Sequence, residues 1–394
     1  MRYKTRLEVN LKKFESNVEK LRLRLPDSEI LFMVKANAYG HGLYPIVSFA
    51  SEKLKIKNFG VATLGEANYL REKLSEQNLN GSFQSGFNYD IYVFSELALT
   101  ATDLSHLNYY LDKKIIPVIS DLEILESLLQ HQGTSQIPLC LKFDTGMKRL
   151  GINYEDVEKV VFLLRKYSRS EVFHLMSHLA TSNILLAQNS SLNIQYQRYL
   201  NIKKYFQDSQ IKIINSSLAN SGAIEQKFAV ENETHIRPGL MLYGPPSCLD
   251  LDPQNIWDGE SISSLRGQVI QIKNIKKNEE IGYGLTKSNS DGIVAYLALG
   301  YGDGIPNYYH NMTFNYQGYQ ASILGRVSMD MLALFFSFLD GQNSHVNKVI
   351  KCGDVISLWD HNIQSVLKIA KEVSSTPYEI YCGISDRIPR AYVY

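Results

Sequence analysis

Over the first 240 residues, short apolar runs alternate with amphipathic stretches at a nearly constant spacing, and this constrains the fold more than any other feature of the chain. Eight runs read as strands: 30–35, 58–63, 90–94, 115–119, 138–143, 172–178, 211–215 and 234–236, the last being the weakest. The segments between them carry apolar residues at helical spacing, as at Leu122, Leu125, Leu128 and Leu129, or at Val157, Val160, Val161 and Leu164. Regular strand-helix alternation implies a parallel sheet. Eight such units within about 240 residues predict a closed (β/α)8 TIM-type barrel rather than an open doubly wound sheet.

The pattern changes after Tyr243. Gly244-Pro245-Pro246 breaks the chain, and 249–260 reads as a polar connector with two further turn residues, Pro253 and Gly259. The expected division is therefore 1–244, a barrel domain, and 245–394, a mostly-β domain. The second part holds strand-like runs at 265–275, 292–299, 321–327, 331–338 and 355–359, one clear helix at 363–373, and a polar surface loop at 341–347.

Charge narrows the partners. Lys and Arg number 41 against 40 Asp and Glu, a net charge of +1, so there is no overall basic field to hold a nucleic acid or an anionic membrane. Apolar stretches such as 293–299 are of strand length, far short of the ~20 residues of a membrane span. The four cysteines lie far apart, which predicts neither a disulfide framework nor a zinc pair, and the N-terminus lacks the apolar block of a secretory signal. The expectation is a cytoplasmic protein acting on a small molecule.

The densest chemical signal is Met33-Val34-Lys35-Ala36-Asn37-Ala38-Tyr39-Gly40-His41-Gly42. A lysine closing the first barrel strand stands at the C-terminal rim, where this fold builds active sites, and its amine can form an imine with an aldehyde. These ten residues resemble the cofactor-lysine motif of the alanine racemase family, fold-type III enzymes that use pyridoxal 5'-phosphate (PLP). The resemblance extends over nearly the whole chain. In 142–151, Arg149 resembles the arginine that holds the substrate carboxylate, a task suited to a guanidinium fork, and Lys142 the lysine that is often carbamylated to position it. The motifs 218–223 and 236–244 imply a phosphate site of Tyr39, Ser221, Gly239 and Leu240, with Asn220 also on the cofactor. His178 resembles the histidine near the cofactor ring, and Arg237 the arginine facing the pyridine nitrogen. A permanently charged guanidinium there leaves that nitrogen unprotonated, so the ring is a weaker electron sink, favouring prompt reprotonation over transamination.

In the C-terminal part, 281–286 matches the motif whose tyrosine, Tyr283, is the second catalytic base, and 300–304 and 325–330, with Met329, match motifs lining the site and its entrance. A tyrosine base needs a lowered pKa, expected from His178 and Arg237 as cationic neighbours. Two departures stand out. Asp386 occupies the place where several members of the family have a tyrosine that reaches the phosphate; an acid there would repel it, so that contact is not expected here. Ser217 occupies a position where some members have a histidine supporting the arginine below the ring.

The resemblance implies racemisation of L- and D-alanine by two bases on opposite faces of the cofactor, Lys35 and Tyr283, supplying D-alanine for peptidoglycan. It also implies a homodimer in which each subunit completes the other's site. Three alternatives compete: a serine or broad-specificity racemase, a non-catalytic PLP-binding regulatory protein, and a PLP decarboxylase of the same fold type.

Overall fold

The structure is a computed structural model that describes residues 4–79, 89–95, 99–131, 136–186, 190–248, 257–309, 312–338, 345 and 349–394. Residues 249–256 of the expected connector, and all but residue 345 of the expected loop at 341–347, lie outside these.

The chain opens with β1 (Arg6–Asn10) and a helix, Leu11–Arg24, whose first turn is capped by the Asn10 side chain accepting from the Lys13 amide. The apolar runs then form β2 (Glu29–Met33), β3 (Asn58–Val61), β4 (Asp90–Val93), β5 (Ile115–Ile119), β6 (Cys140–Asp144), the short β7 (Ile152–Asn153) beside it, β8 (Glu171–Met176), β9 (Lys212–Ser217) and β10 (His235–Ile236). They pair in parallel in the order β10-β2-β3-β4-β5-β6-β8-β9. Closure between β9 and β10 rests on an isolated bridge from Asn220 to Arg237 and on Thr234, whose hydroxyl accepts from the Ser216 amide and donates to the Ser216 carbonyl. The result is the nearly closed barrel that the spacing predicts. A side chain stands in for part of the ladder at its seam, and so the eighth strand is only two residues long and weak in the sequence.

The helices cover the barrel with the stripes read from their spacing. Leu125, Leu128 and Leu129 are buried on Leu122–Gln130, and Val160, Val161, Leu163 and Leu164 on Val157–Lys166. Four barrel strands end earlier than their apolar runs, β3 at Val61 and β4 at Val93 among them, and in the other two the shortening moves a chemical group. β2 stops at Met33 and β8 at Met176, which leaves Lys35 and His178 in the loops beyond the C-terminal rim.

The second half forms β11 (Ser263–Ile275), β12 (Glu280–Ile281), β13 (Thr286–Lys287), β14 (Gly292–Leu297), β15 (Thr313–Tyr316), β16 (Tyr319–Ile323), β17 (Leu332–Ser337), β18 (Val355–Trp359) and β19 (Arg390–Val393). One sheet runs β15-β16-β17-β14-β11-β1-β19, with β18 also on β11. The first strand of the chain thus lies in this sheet, not in the barrel: Leu7 pairs with Leu265 on one side and Arg390 on the other. Only Leu7 and Val9 of β1 are buried, too short an alternation to stand out in the sequence. Besides the expected helix, seen at Ile363–Glu372, there is a second, Pro377–Cys382, with Thr376 as its cap and proline at its start.

Candidate active site

Lys35 begins a turn that most sequences cannot adopt. Ala36, Asn37 and Ala38 all take left-handed backbone angles, with φ of 52°, 55° and 52°. Such residues cost roughly 1–2 kcal/mol each unless their surroundings hold them. The Asn37 side chain accepts from the Leu43 amide at 2.7 Å, and the Asn37 amide donates to Glu66 at 3.3 Å. The second domain holds the turn from outside: Arg390 donates to the Gly40 carbonyl (3.1 Å), the Tyr392 hydroxyl to the His41 carbonyl (2.9 Å), and the buried His41 ring bridges the Ala38 carbonyl and the Ser263 hydroxyl. Gly40 must be glycine, because a Cβ there would overlap the Tyr381 carbonyl at a φ of 79°.

Beyond this turn lies a cavity of about 220 Å³ at the C-terminal rim, lined by Lys35, Tyr39, Lys142, Arg149, His178, Asn220, Ser221, Arg237 and Gly239, together with Met33, Phe94, Ser95, Leu150, Met176, Ser177 and Tyr378. Four cationic side chains converge, and no Asp or Glu is among the lining residues. Burial and the Arg149 charge hold the Lys35 amine below its ordinary value. Lys142 is pushed down to about 8 by burial and by Arg237, Arg149 and Lys35. A cavity so charged favours a ligand with several negative charges.

Arg237 is fully committed on one side. Its Nη1 donates to the Ser217 carbonyl (2.6 Å) and hydroxyl (2.5 Å), and its Nη2 to the Leu218 carbonyl (3.1 Å) and the Ser177 carbonyl. Nε–H has no protein partner among the described residues. Ser217 therefore supports the arginine directly, where the sequence left that support open. Burial lowers Arg237 only to about 10, so it remains charged at neutral pH. His178 is different: burial and the surrounding cations hold it well below the ordinary histidine range, so it is neutral and cannot be the cationic neighbour expected for a tyrosine base.

One wall of the cavity is built from backbone and hydroxyls. Asn220 caps the short helix Ser221–Glu225, the Gly239 amide donates to the Ser221 hydroxyl at 2.9 Å, and a Cβ on Gly239 would collide with the Tyr39 hydroxyl. Tyr378, which the sequence did not point to, completes it. Its ring lies 5.7 Å from that of Tyr39, its hydroxyl lies 3.4 Å from that of Ser247, and it lines the cavity together with Ser221. No local signal marks Tyr378 beyond a helix start.

Other residues singled out in the sequence lie outside the cavity lining. Asp386 is 92% exposed, paired with Arg390 at 3.5 Å and accepting from Asn37 at 3.3 Å, so the tyrosine of this region that reaches the cavity is Tyr378, eight residues earlier. Leu240 is buried behind Gly239 and lines an adjoining groove. Tyr283 and Met329 do not line the cavity of their own chain; they are 72% and 52% exposed. Tyr283 sits at the tip of the β12-β13 hairpin, and Leu285, Tyr301 and Met331 are exposed on the same domain.

Comparison with known proteins agrees with this arrangement. Residues 9–246 match the model of the alanine racemase N-terminal domain and 262–392 that of the C-terminal domain. An alanine racemase of Pasteurella multocida is 32% identical over 96% of this chain and 95% of its own length, and "Alanine racemase 2" of Caldanaerobacter subterraneus is 28% identical over 99% and 95%. Among solved structures, the alanine racemase of Acinetobacter baumannii superposes over the full length of both chains with a TM-score of 0.79 at 26% identity. That of Clostridium difficile gives 0.82 at 22% over 100% of this chain and 96% of its own, a likeness of fold. With both domains matched in order and the cation-lined rim in place, this chain belongs to the alanine racemase family.

Proposed function

We propose that the protein is a PLP-dependent alanine racemase, working in the cytoplasm as a homodimer and supplying D-alanine for peptidoglycan. The observation that carries this reading is the cavity in which Lys35 meets Lys142, Arg149 and Arg237 with no carboxylate among the lining residues. The residues fit the cofactor: the Ser221, Gly239 and Tyr39 cradle, which a single added Cβ would fill, suits its phosphate, with Leu240 and Tyr378 beside it, and the spare Nε–H of Arg237 suits an unprotonated ring nitrogen. His178 and Asn220 would flank the ring. Bound there, PLP supplies an aldehyde that captures amines and a ring that spreads the electron pair left when a Cα proton departs.

The side chains do the rest. Arg149 holds the substrate carboxylate through its planar fork, at the open side of the cavity. Lys142, at about 8, is neutral often enough for Nζ to add carbon dioxide, with an N–C bond formed and a proton released to solvent; the carbamate would then anchor Arg149. Lys35 Nζ moves the Cα proton on one face. Tyr283 Oη is the second base, and its exposure on a hairpin away from its own cavity is the reason to place it at the site of a partner subunit.

The test is racemisation of a panel of L-amino acids by the purified, PLP-loaded protein, followed by chiral chromatography. Fastest turnover of alanine is the expected result. Equal rates on serine and larger substrates would favour a broad-specificity racemase, and no turnover of any substrate would refute the reading.

A further inference from the structure

We propose that His174 is a positioning residue for Arg237: its unprotonated Nε2 accepts the Ser217 hydroxyl hydrogen and so turns the lone pairs of that hydroxyl onto the guanidinium. The role rests on the reading that the cavity holds PLP.

His174 is wholly buried on β8 and does not line the cavity. Its Nε2 lies 2.9 Å from Ser217 Oγ, which is itself 2.5 Å from Arg237 Nη1. Proton counting decides the direction. Arg237 can only donate, so Ser217 Oγ accepts from it and has one hydrogen left to give. A donating Nε2–H would fill the oxygen's second lone pair and leave that hydrogen with no acceptor among the described residues; an accepting Nε2 satisfies both groups. The ring proton then sits on Nδ1, which faces the Tyr92 hydroxyl at 3.4 Å. The groups around the ring favour the neutral form: His235 lies 5.1 Å away between ring centres, and burial, His235 and Arg237 all disfavour a charge. His174 thus fixes an otherwise rotatable hydroxyl that makes one of four contacts on Arg237, and so fixes where Nε–H points.

Two measurements test it. Nitrogen-15 NMR of imidazole-labelled protein, with and without PLP, should show His174 carrying its hydrogen on Nδ1, with the Nε2 signal moving in Ser217→Ala. A hydrogen on Nε2 would overturn the proposal. Second, PLP-loaded His174→Leu should racemise alanine about tenfold more slowly and form about tenfold more pyridoxamine phosphate per turnover, by analogy with the loss of a hydrogen-bond partner behind a metal ligand. His174→Gln, whose amide oxygen can accept in the same place, should restore the partition. An unchanged partition in His174→Leu would overturn the role. Should His174→Leu fail to fold, Ser217→Ala removes the same contact with less loss of volume and is read the same way. If wild-type protein neither binds PLP nor racemises, the functional reading fails, while the tautomer in the empty protein still decides the hydrogen-bond chain.

Discussion

The two regions assigned the two bases are built on opposite principles. Lys35 leaves a barrel strand through a left-handed turn, held by Asn37 and Glu66 from within and by Arg390, Tyr392 and Ser263 from the other domain, and it opens into a cavity whose charge is already balanced for an anion. Tyr283 stands 72% exposed on a hairpin with two residues per strand, beside Gly282 and Gly284 at positive φ. The first region spends backbone strain to fix an atom. The second leaves its phenol in solvent, the arrangement expected under the proposal that a partner subunit supplies its surroundings.

Substitutions can break or sharpen this contrast. Lys35→Ala should lower racemisation in both directions by at least about 10³-fold, since it removes both the covalent anchor and a base. Borohydride reduction and peptide mapping should label Lys35 in the wild type; a label on Lys142 would move the anchor off the strained turn. Tyr283→Phe should cost about 10²-fold or more. Mixed with Lys35→Ala under subunit exchange, it should recover up to about half the activity per mixed dimer, because one site of two regains both bases. Silence despite proven exchange would break the comparison.

A smaller effect separates charge from fold. Lys142→Met should slow racemisation by about tenfold, the worth of one hydrogen bond to a charged group. The same change should stabilise the cofactor-free protein at pH 7. Lys142 is near 8 when folded against an ordinary 10.5, so the unfolded chain binds the extra proton and stability rises as pH climbs from about 8 to 10.5. Below 8 the wild type carries the whole penalty, on the order of 3 kcal/mol. Denaturant melts should show the variant's advantage at pH 7 closing by pH 10.5, and a constant gap would assign the effect to packing. Smallest of all, Tyr378→Phe should weaken PLP binding about fivefold, roughly 1 kcal/mol, while Asp386→Asn changes it less than about twofold, measured by spectral titration. The reverse order would return the phosphate contact to the Asp386 position.

Much of the barrel was legible because its helices and strands have local periods. Val157, Val160, Val161 and Leu164 announce a helix without reference to anything distant. The Lys35, Arg149 and Arg237 motifs were legible for a similar reason, as each is a contiguous string at the end of a strand. Where the strings ended, reading faltered. Position 386 drew attention as an acid in a motif, yet the C-terminal phenol that joins Tyr39 in lining the cavity is Tyr378, and Ser217, suspected as a loss of support, hydrogen-bonds Arg237 directly. His178, expected to lend a charge, is neutral because it is buried and its charged neighbours are cations.

By itself the sequence determined the alternation of strands and helices in the barrel and the chemical groups available at the rim, since both follow from residues close together in the chain. The tertiary structure alone decided that β1 joins the sheet of the second domain, that Tyr378 packs beside Tyr39, and that His174 stands behind Ser217. Those contacts join residues tens to hundreds of positions apart, and no local period or motif encodes which distant partner closes them; packing of the whole core makes that choice.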